Sequence, residues 1–286
     1  METRPKNRFR TFVIGAFSAW LLIFVLAPNL MIAAVSLATR SEERFAGLPL
    51  SLESYVRLFD PIYLSVFLRS LGMALLITAL CLVAGYPFAY IIARSPARLR
   101  NALLLLTIVP FWTNSLIRTY AVALILRTRG LLNYLLVDFL GVLDKPLDLL
   151  YTGTAVVAGS VYVLLPFMVL PLYAVIERLD PAYTEAGRDL GAGRLDVFFR
   201  IVVPLTMPGI LAGCLLVFLP ALGLFYIPDV LGGAKDLFIG NFIKNQFLDA
   251  RDWPFGAAGS VVLTALMAVL LLTYYLVMKR LGEKVL

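Results

Sequence analysis

Histidine is absent from all 286 residues, cysteine occurs only twice, and charged residues make up just 15% of the chain. Without histidine there is no Ser-His or Cys-His nucleophile pair, no His-ligated zinc and no His proton relay. Cys81 and Cys214 each lie inside an apolar run, where cysteine behaves as a small buried hydrophobe, so neither a disulfide nor a metal framework follows. A GxxxxGK[ST] phosphate loop is also missing, which removes the usual sequence device for binding a nucleotide. Soluble proteins carry roughly 25% charged residues. The low charge here, set beside 61% apolar residues and a mean hydropathy of +0.89, excludes a soluble globular domain.

What is present is apolar length. Uninterrupted runs extend over Thr11–Thr39, Ser70–Ala93, Asn101–Ile117, Leu149–Ile176, Ile201–Pro228 and Trp253–Met278. A bilayer core needs about 20 helical residues, and five of the runs meet that outright. The third is short, but it resumes beyond Arg118 to Leu126, predicting a helix over about 103–126. Arg118 is then expected to snorkel, to pair with another group or to face a polar pathway. The first run follows Arg4, Lys6, Arg8 and Arg10 as a signal peptide would, yet its 29 residues far exceed an h-region, so it reads as a retained helix. The fold expected is all-α and membrane-integral, with six transmembrane helices surrounded by lipid.

Charge sets the orientation. The N-terminal tail, residues 94–100, residues 177–200 and the tail from 279 hold 14 Lys and Arg in 49 residues, whereas the alternate segments hold 11 in 85. The positive-inside rule makes the first set cytoplasmic, with both termini inside. The net charge of +7 therefore reports topology, and nucleic-acid binding is the poorer explanation. Prolines at 28, 87, 110, 166, 171, 204, 208 and 220 lie in or at the ends of the runs, each removing a backbone hydrogen bond and suggesting broken helices along a pathway. Residues 130–150 are too charged to span and read as an amphipathic helix on the outer surface. Gly232-Gly233 reads as a turn before a short amphipathic stretch.

The longest inner segment, ERLDPAYTEAGRDLGAGRLDVFFRIVVPLTMPG from Glu177, reads as a helical knob. Asp180 can cap a helix that starts at Pro181, and Gly191-Ala192-Gly193 can end it. Gly187 and Gly191, four apart, leave one face open to close approach, while Glu185 and Asp189 share another. A second short helix through Leu195, Phe198 and Phe199 is expected to run to Pro204, where the next span begins. Such a knob suits docking to a cytoplasmic partner.

Glu185-Ala186-Gly187, three residues, Gly191, nine residues, Ile201, one residue, Val203-Pro204 resembles the EAA loop of permease subunits of binding-protein-dependent ABC importers. The pattern departs at Gly187, where the family has alanine, and at Val203, where it has leucine. The resemblance implies a type I importer fold and an ATPase dimer as partner, with Glu185, Ala186, Gly187 and Gly191 as the coupling residues. It covers roughly residues 65–280, leaving 1–64 as an added helix with its tail and loop, and 281–286 as a tail. It also implies a second, homologous permease subunit and a periplasmic solute-binding protein, and no cofactor or metal for this chain.

The strings VPFWTNSLIRTYA, LLPFMVLPLYAVIERLD and IVVPLTMPGILAGCLLVFLPALGLF are similar to permeases of polyamine importers in that family, so the binding protein expected is one that carries polyamine. A polycation needs carboxylates, aromatic faces and carbonyls as it sheds water. Asp229, Tyr226 and Phe225 at the end of the fifth span are the first candidates, and Trp112 and Asn114 after Pro110 the second. Sister permeases for sulfate or ferric iron share the architecture. A sulfate path would be expected to present cations or helix N-termini, and the outer segments here sum to zero charge. An ion-coupled secondary transporter should show carboxylates inside the spans and inverted repeats, and neither is found. An aspartyl intramembrane protease fails for want of the same acids.

Overall fold

The structure, a computed structural model, describes residues 8–41, 47, 49–233 and 238–285; Arg4, Lys6, Arg44, Lys235 and Leu286 lie outside the described residues. Among the described residues the elements are all helices, apart from one antiparallel bridge between Thr39 and Gly47. In chain order they are α1 (Phe12–Ser36), α2 (Glu53–Leu58), α3 (Pro61–Arg94), α4 (Ala97–Ile108), α5 (Ser115–Leu126), α6 (Gly153–Ile176), α7 (Pro181–Asp189), α8 (Arg194–Gly223), α9 (Tyr226–Gly232), α10 (Ile239–Leu248) and α11 (Trp253–Val285). Among the described residues, six segments are long and apolar enough to cross a membrane: α1, α3, Ser115–Phe139, α6, α8 and the Trp253–Arg280 part of α11.

The third span departs from the continuous helix expected over 103–126. Pro110 lacks an N–H, and the chain passes through a tight 3₁₀ turn at Val109–Trp112 and an extended Thr113 before α5 begins. Asn114 starts α5 anew, its Oδ1 accepting from the Leu116 N–H at 2.8 Å. Most prolines do not break their helices. Pro87, Pro166, Pro171, Pro208 and Pro220 all sit inside continuous helix. Wider π-type turns at Leu22–Leu26 and Phe198–Val202 end two residues before Pro28 and Pro204, closed by the Ala27 N–H on Leu22 O and the Val203 N–H on Phe198 O. The second of these turns also makes the knob's last helix continuous with the fifth span, where a separate helix was expected.

Two compact units are distinguishable, one of residues 1–64 and 242–266, the other of 65–241 and 267–286. In the larger unit α6 packs along α8, and α3 closes the core, which is built on Ile77, Cys81, Met168, Val169, Leu172, Ile176 and Val217. Glycines let these helices approach: a Cβ on Gly213 would meet Met168 Sδ at 2.7 Å, and one on Gly85 would meet Met168 Cγ at 3.0 Å. The buried Tyr86 hydroxyl shares a 2.9 Å hydrogen bond with Thr206 Oγ1, tying α3 to α8.

In the smaller unit α2 is held by a buried carboxylate. Asp252 is 2% exposed and accepts from Arg57 Nη1 at 2.9 Å, with Arg40 Nη1 at 4.0 Å. The Arg57 guanidinium stacks 4.0 Å over the Phe255 ring. Burial would lower the pKa of Arg57, but the hydrogen bond and charge of Asp252, helped by Tyr63, outweigh it and raise the pKa.

Residues 130–150 form helix only as far as Phe139. Gly141, at φ +59°, turns the chain away, and the rest is organised by buried Asn133. Its Nδ2 donates to the carbonyls of Arg127, Thr128 and Leu147, and its Oδ1 accepts from the Leu147 N–H. The turn expected at Gly232-Gly233 is present, with Gly233 left-handed at φ +65° after α9.

Candidate functional site

The knob is built by short-range rules and then fixed to the spans. Asp180 Oδ1 accepts from the Ala182 N–H at 2.9 Å and Pro181 occupies the first helical position, as the sequence predicts. Gly191, at φ +85°, reverses the chain after α7, its N–H bonding to Arg188 O. A Cβ on Gly191 would touch nothing within 4 Å, so this glycine serves the turn and does not mediate the close approach expected of it. Gly187 does mediate one: it is buried, and a Cβ there would lie 2.5 Å from Ile201 Cδ1. Arg100 pairs with Glu177 at 2.9 Å, and Arg94 Nη2 donates to Leu179 O at 3.2 Å, so the loop's entry is clamped by the end of α3 and the start of α4.

The outer surface of the knob is free of such contacts. Glu185, Ala186, Arg188 and Asp189 are exposed, as are the apolar Tyr183, Leu190, Leu195 and Phe199. Leu190 and Leu195 lie 89% and 74% open, a cost that a partner surface would remove. Behind the knob, Tyr86, Pro87, Tyr90 and Ile91 of α3 face Arg188 and Arg194 across a groove of about 310 Å³.

The second candidate region is where α8 ends. The helix stops at Gly223, Leu224 is extended, and α9 starts at Tyr226. This short gap brings Phe225, Tyr226 and Asp229 together: the two rings meet edge to face at 6.0 Å, and the Asp229 N–H donates to Phe225 O. Buried Asn241, at the start of α10, secures the gap by donating to Phe225 O at 2.9 Å and to Asp229 Oδ1 at 2.5 Å. The amphipathic stretch expected over 237–248 assigns Asn241 no such role. Gly240 allows this approach, since a Cβ there would lie 2.6 Å from Gly223 O. Leu231 of α9 fills the space over Gly159 of α6, and Tyr151, left-handed at φ +63°, donates its N–H to Leu231 O at 2.8 Å.

Trp112 and Asn114 stand together at the other gap, between α4 and α5. Trp112 is 78% exposed, and Asn114 is exposed while its side chain caps α5. One turn further along, Arg118 is 8% exposed, and its guanidinium lies 5.8 Å from the Phe111 ring, which packs edge-on against Phe167. Nε and Nη1 of Arg118 are buried without a hydrogen-bond partner among the described residues, and the Phe111 ring is the contact the guanidinium makes there.

Among the described residues no group of three or more His, Cys, Asp or Glu could hold a metal. Residues 85–286 match the family of binding-protein-dependent transport system inner membrane components. The spermidine/putrescine transport system permease protein PotB of Escherichia coli K12 is 55% identical over 273 residues, 96% of this chain and 99% of its own. The protein of the same name from Salmonella typhimurium SL1344 is 53% identical over 279 residues, 98% and 97% of the two chains. A chain in the solved structure of a bacterial alginate ABC transporter, in complex with an alginate pentasaccharide-bound periplasmic protein, shares the fold. It superposes with a TM-score of 0.71 at 18% identity, over 94% of this chain and 93% of that one.

Proposed function

Since the chain belongs to the family of binding-protein-dependent transport system inner membrane components and is a permease subunit of an ABC importer, we propose that its solute is a polyamine such as spermidine or putrescine. The observation that carries the reading is near-full-length identity above 50% to permeases named for spermidine and putrescine. The chemistry at the end of α8 agrees with it. Phe225 and Tyr226 offer aromatic faces to an alkylammonium, and Asp229 offers a carboxylate beside them. Trp112 and Asn114 form a second polar and aromatic contact in the gap of the third span.

A periplasmic polyamine-binding protein delivers the solute, and an ATPase dimer drives alternating access. This chain pairs with a second, homologous permease, so that two cores of residues 65–280 enclose the path. Residues 1–64 add the first helix and 281–286 a tail, with both termini cytoplasmic. Glu185, Ala186, Gly187 and Gly191 couple to the ATPase. Gly187 seats α7 on Ile201 and Gly191 turns the chain, which leaves Glu185 and Ala186 outward for the partner.

The test is ATPase activity of the reconstituted complex as putrescine- or spermidine-loaded binding protein is added, with Glu185→Ala alongside. Polyamine-dependent stimulation, reduced about tenfold or more in the variant, is expected; a lost charge-assisted contact of about 1.5 kcal/mol corresponds to that factor. Stimulation by a sulfate- or iron-loaded protein alone would overturn the substrate. Full stimulation in Glu185→Ala would remove that residue from the coupling set.

A further inference from the structure

We propose that Arg118 is a fixed positive charge that bars cations from crossing the subunit until the importer rearranges. This rests on the reading that the cargo is a polyamine. Arg118 stands nine residues before Arg127, which places it about 13 Å into the span from the charged end of α5. A guanidinium inside a span is costly to insert, and here no ion pair among the described residues offsets the cost. It is 8% exposed, its Nε and Nη1 have no hydrogen-bond partner among the described residues, and its nearest aromatic face, Phe111, stands 5.8 Å away.

The helices packed on α5 do not neutralise it. Along α6 there is no Asp, Glu, Lys or Arg. Along α9 the only charged residue is Asp229, whose Oδ1 already accepts from Asn241. Moreover α9 meets the far half of α5, where Ala123, Val122 and Leu126 join Ile227 and Leu231. Arg118 lies five residues, about 7 Å, further toward the gap at Trp112 and Asn114.

A cation reaching the level of Asp229 from the Arg127 end therefore meets an attractive carboxylate first and a repulsive guanidinium next. In a medium of low dielectric constant the repulsion acts over several ångströms without contact. It grows with the charge of the solute, so a diamine is resisted more strongly than potassium.

The experiment uses the complete importer complex in liposomes without ATP and follows passive efflux of trapped potassium, putrescine and a neutral sugar. Arg118→Met is expected to raise potassium efflux about tenfold and putrescine efflux by more, with the sugar unchanged. Arg118→Lys, which keeps the charge, should stay near wild type. Arg118→Gln, polar and uncharged, should leak like the Met variant and serves where Met does not assemble. Leak equal to wild type in both neutral variants would overturn the proposal. So would a leak in Arg118→Lys as large as in the neutral variants, or a matching rise in sugar efflux, which would mark a packing defect. Should polyamine-loaded binding protein fail to stimulate the wild-type ATPase, the substrate reading falls, while potassium efflux still decides the role of Arg118.

Discussion

Helices α1 and α6 are nearly equal in length and mean hydropathy, yet more than half of the most apolar stretch of α6 is buried and none of that of α1 is. Small residues are about as frequent in both, so their number does not explain the difference. What differs is what the small residues face. Gly159 of α6 receives Leu231, and Met168 of α6 seats against Gly85 and Gly213 of its neighbours. Gly15 of α1 has nothing within 4 Å where its side chain would be, and the bulk of α1 packs on itself, with Phe17, Trp20 and Phe24 ring against ring along one face. Hydropathy reports that both helices belong in a bilayer; complementary notches determine which one builds a core.

The largest way to break this contrast is Gly159→Leu. The new side chain collides with Leu231 and pushes α9 off α6, at a cost of about 3 kcal/mol. Purified protein should lose its monodisperse elution and unfold at a clearly lower temperature. Next in size is Tyr86→Phe, which removes the bond to Thr206 inside the core and should lower stability by about 1 kcal/mol without changing assembly. A thermal melt in detergent resolves that step. The smallest effect sharpens the contrast from the other side: Gly15→Leu, the same kind of exchange in α1, should leave both elution and melting unchanged within error. A large loss there would mean that α1 has a tight partner after all.

Local rules were legible in the chain and long-range ones were not. Asp180, Pro181 and Gly191 announce the ends of α7 because capping and left-handed turns depend on a few adjacent residues. The six spans follow from apolar length, and the outward face of the knob follows from helical spacing. The continuous third helix was misjudged because Pro110 and the capping side chain of Asn114 act together, and a run of apolar residues hides that pairing. Pro87, Pro166, Pro171, Pro208 and Pro220 stay inside continuous helix while Pro28 and Pro204 follow π-type turns, a division that no single segment reveals. Beside Arg118, Phe111 packs edge-on against the distant Phe167, and the grip of Asn241 on Asp229 joins residues twelve apart across a turn.

The π-type turn at Phe198–Val202 has a mechanical consequence. Because the helix does not stop there, α8 is continuous over 30 residues, about 45 Å from the knob to the gap at Phe225. A tilt of about 5° at the knob carries the far end about 4 Å sideways, comparable to the width of an ammonium group with its first contacts. A lever of that kind turns a small rotation at one end into a large displacement at the other.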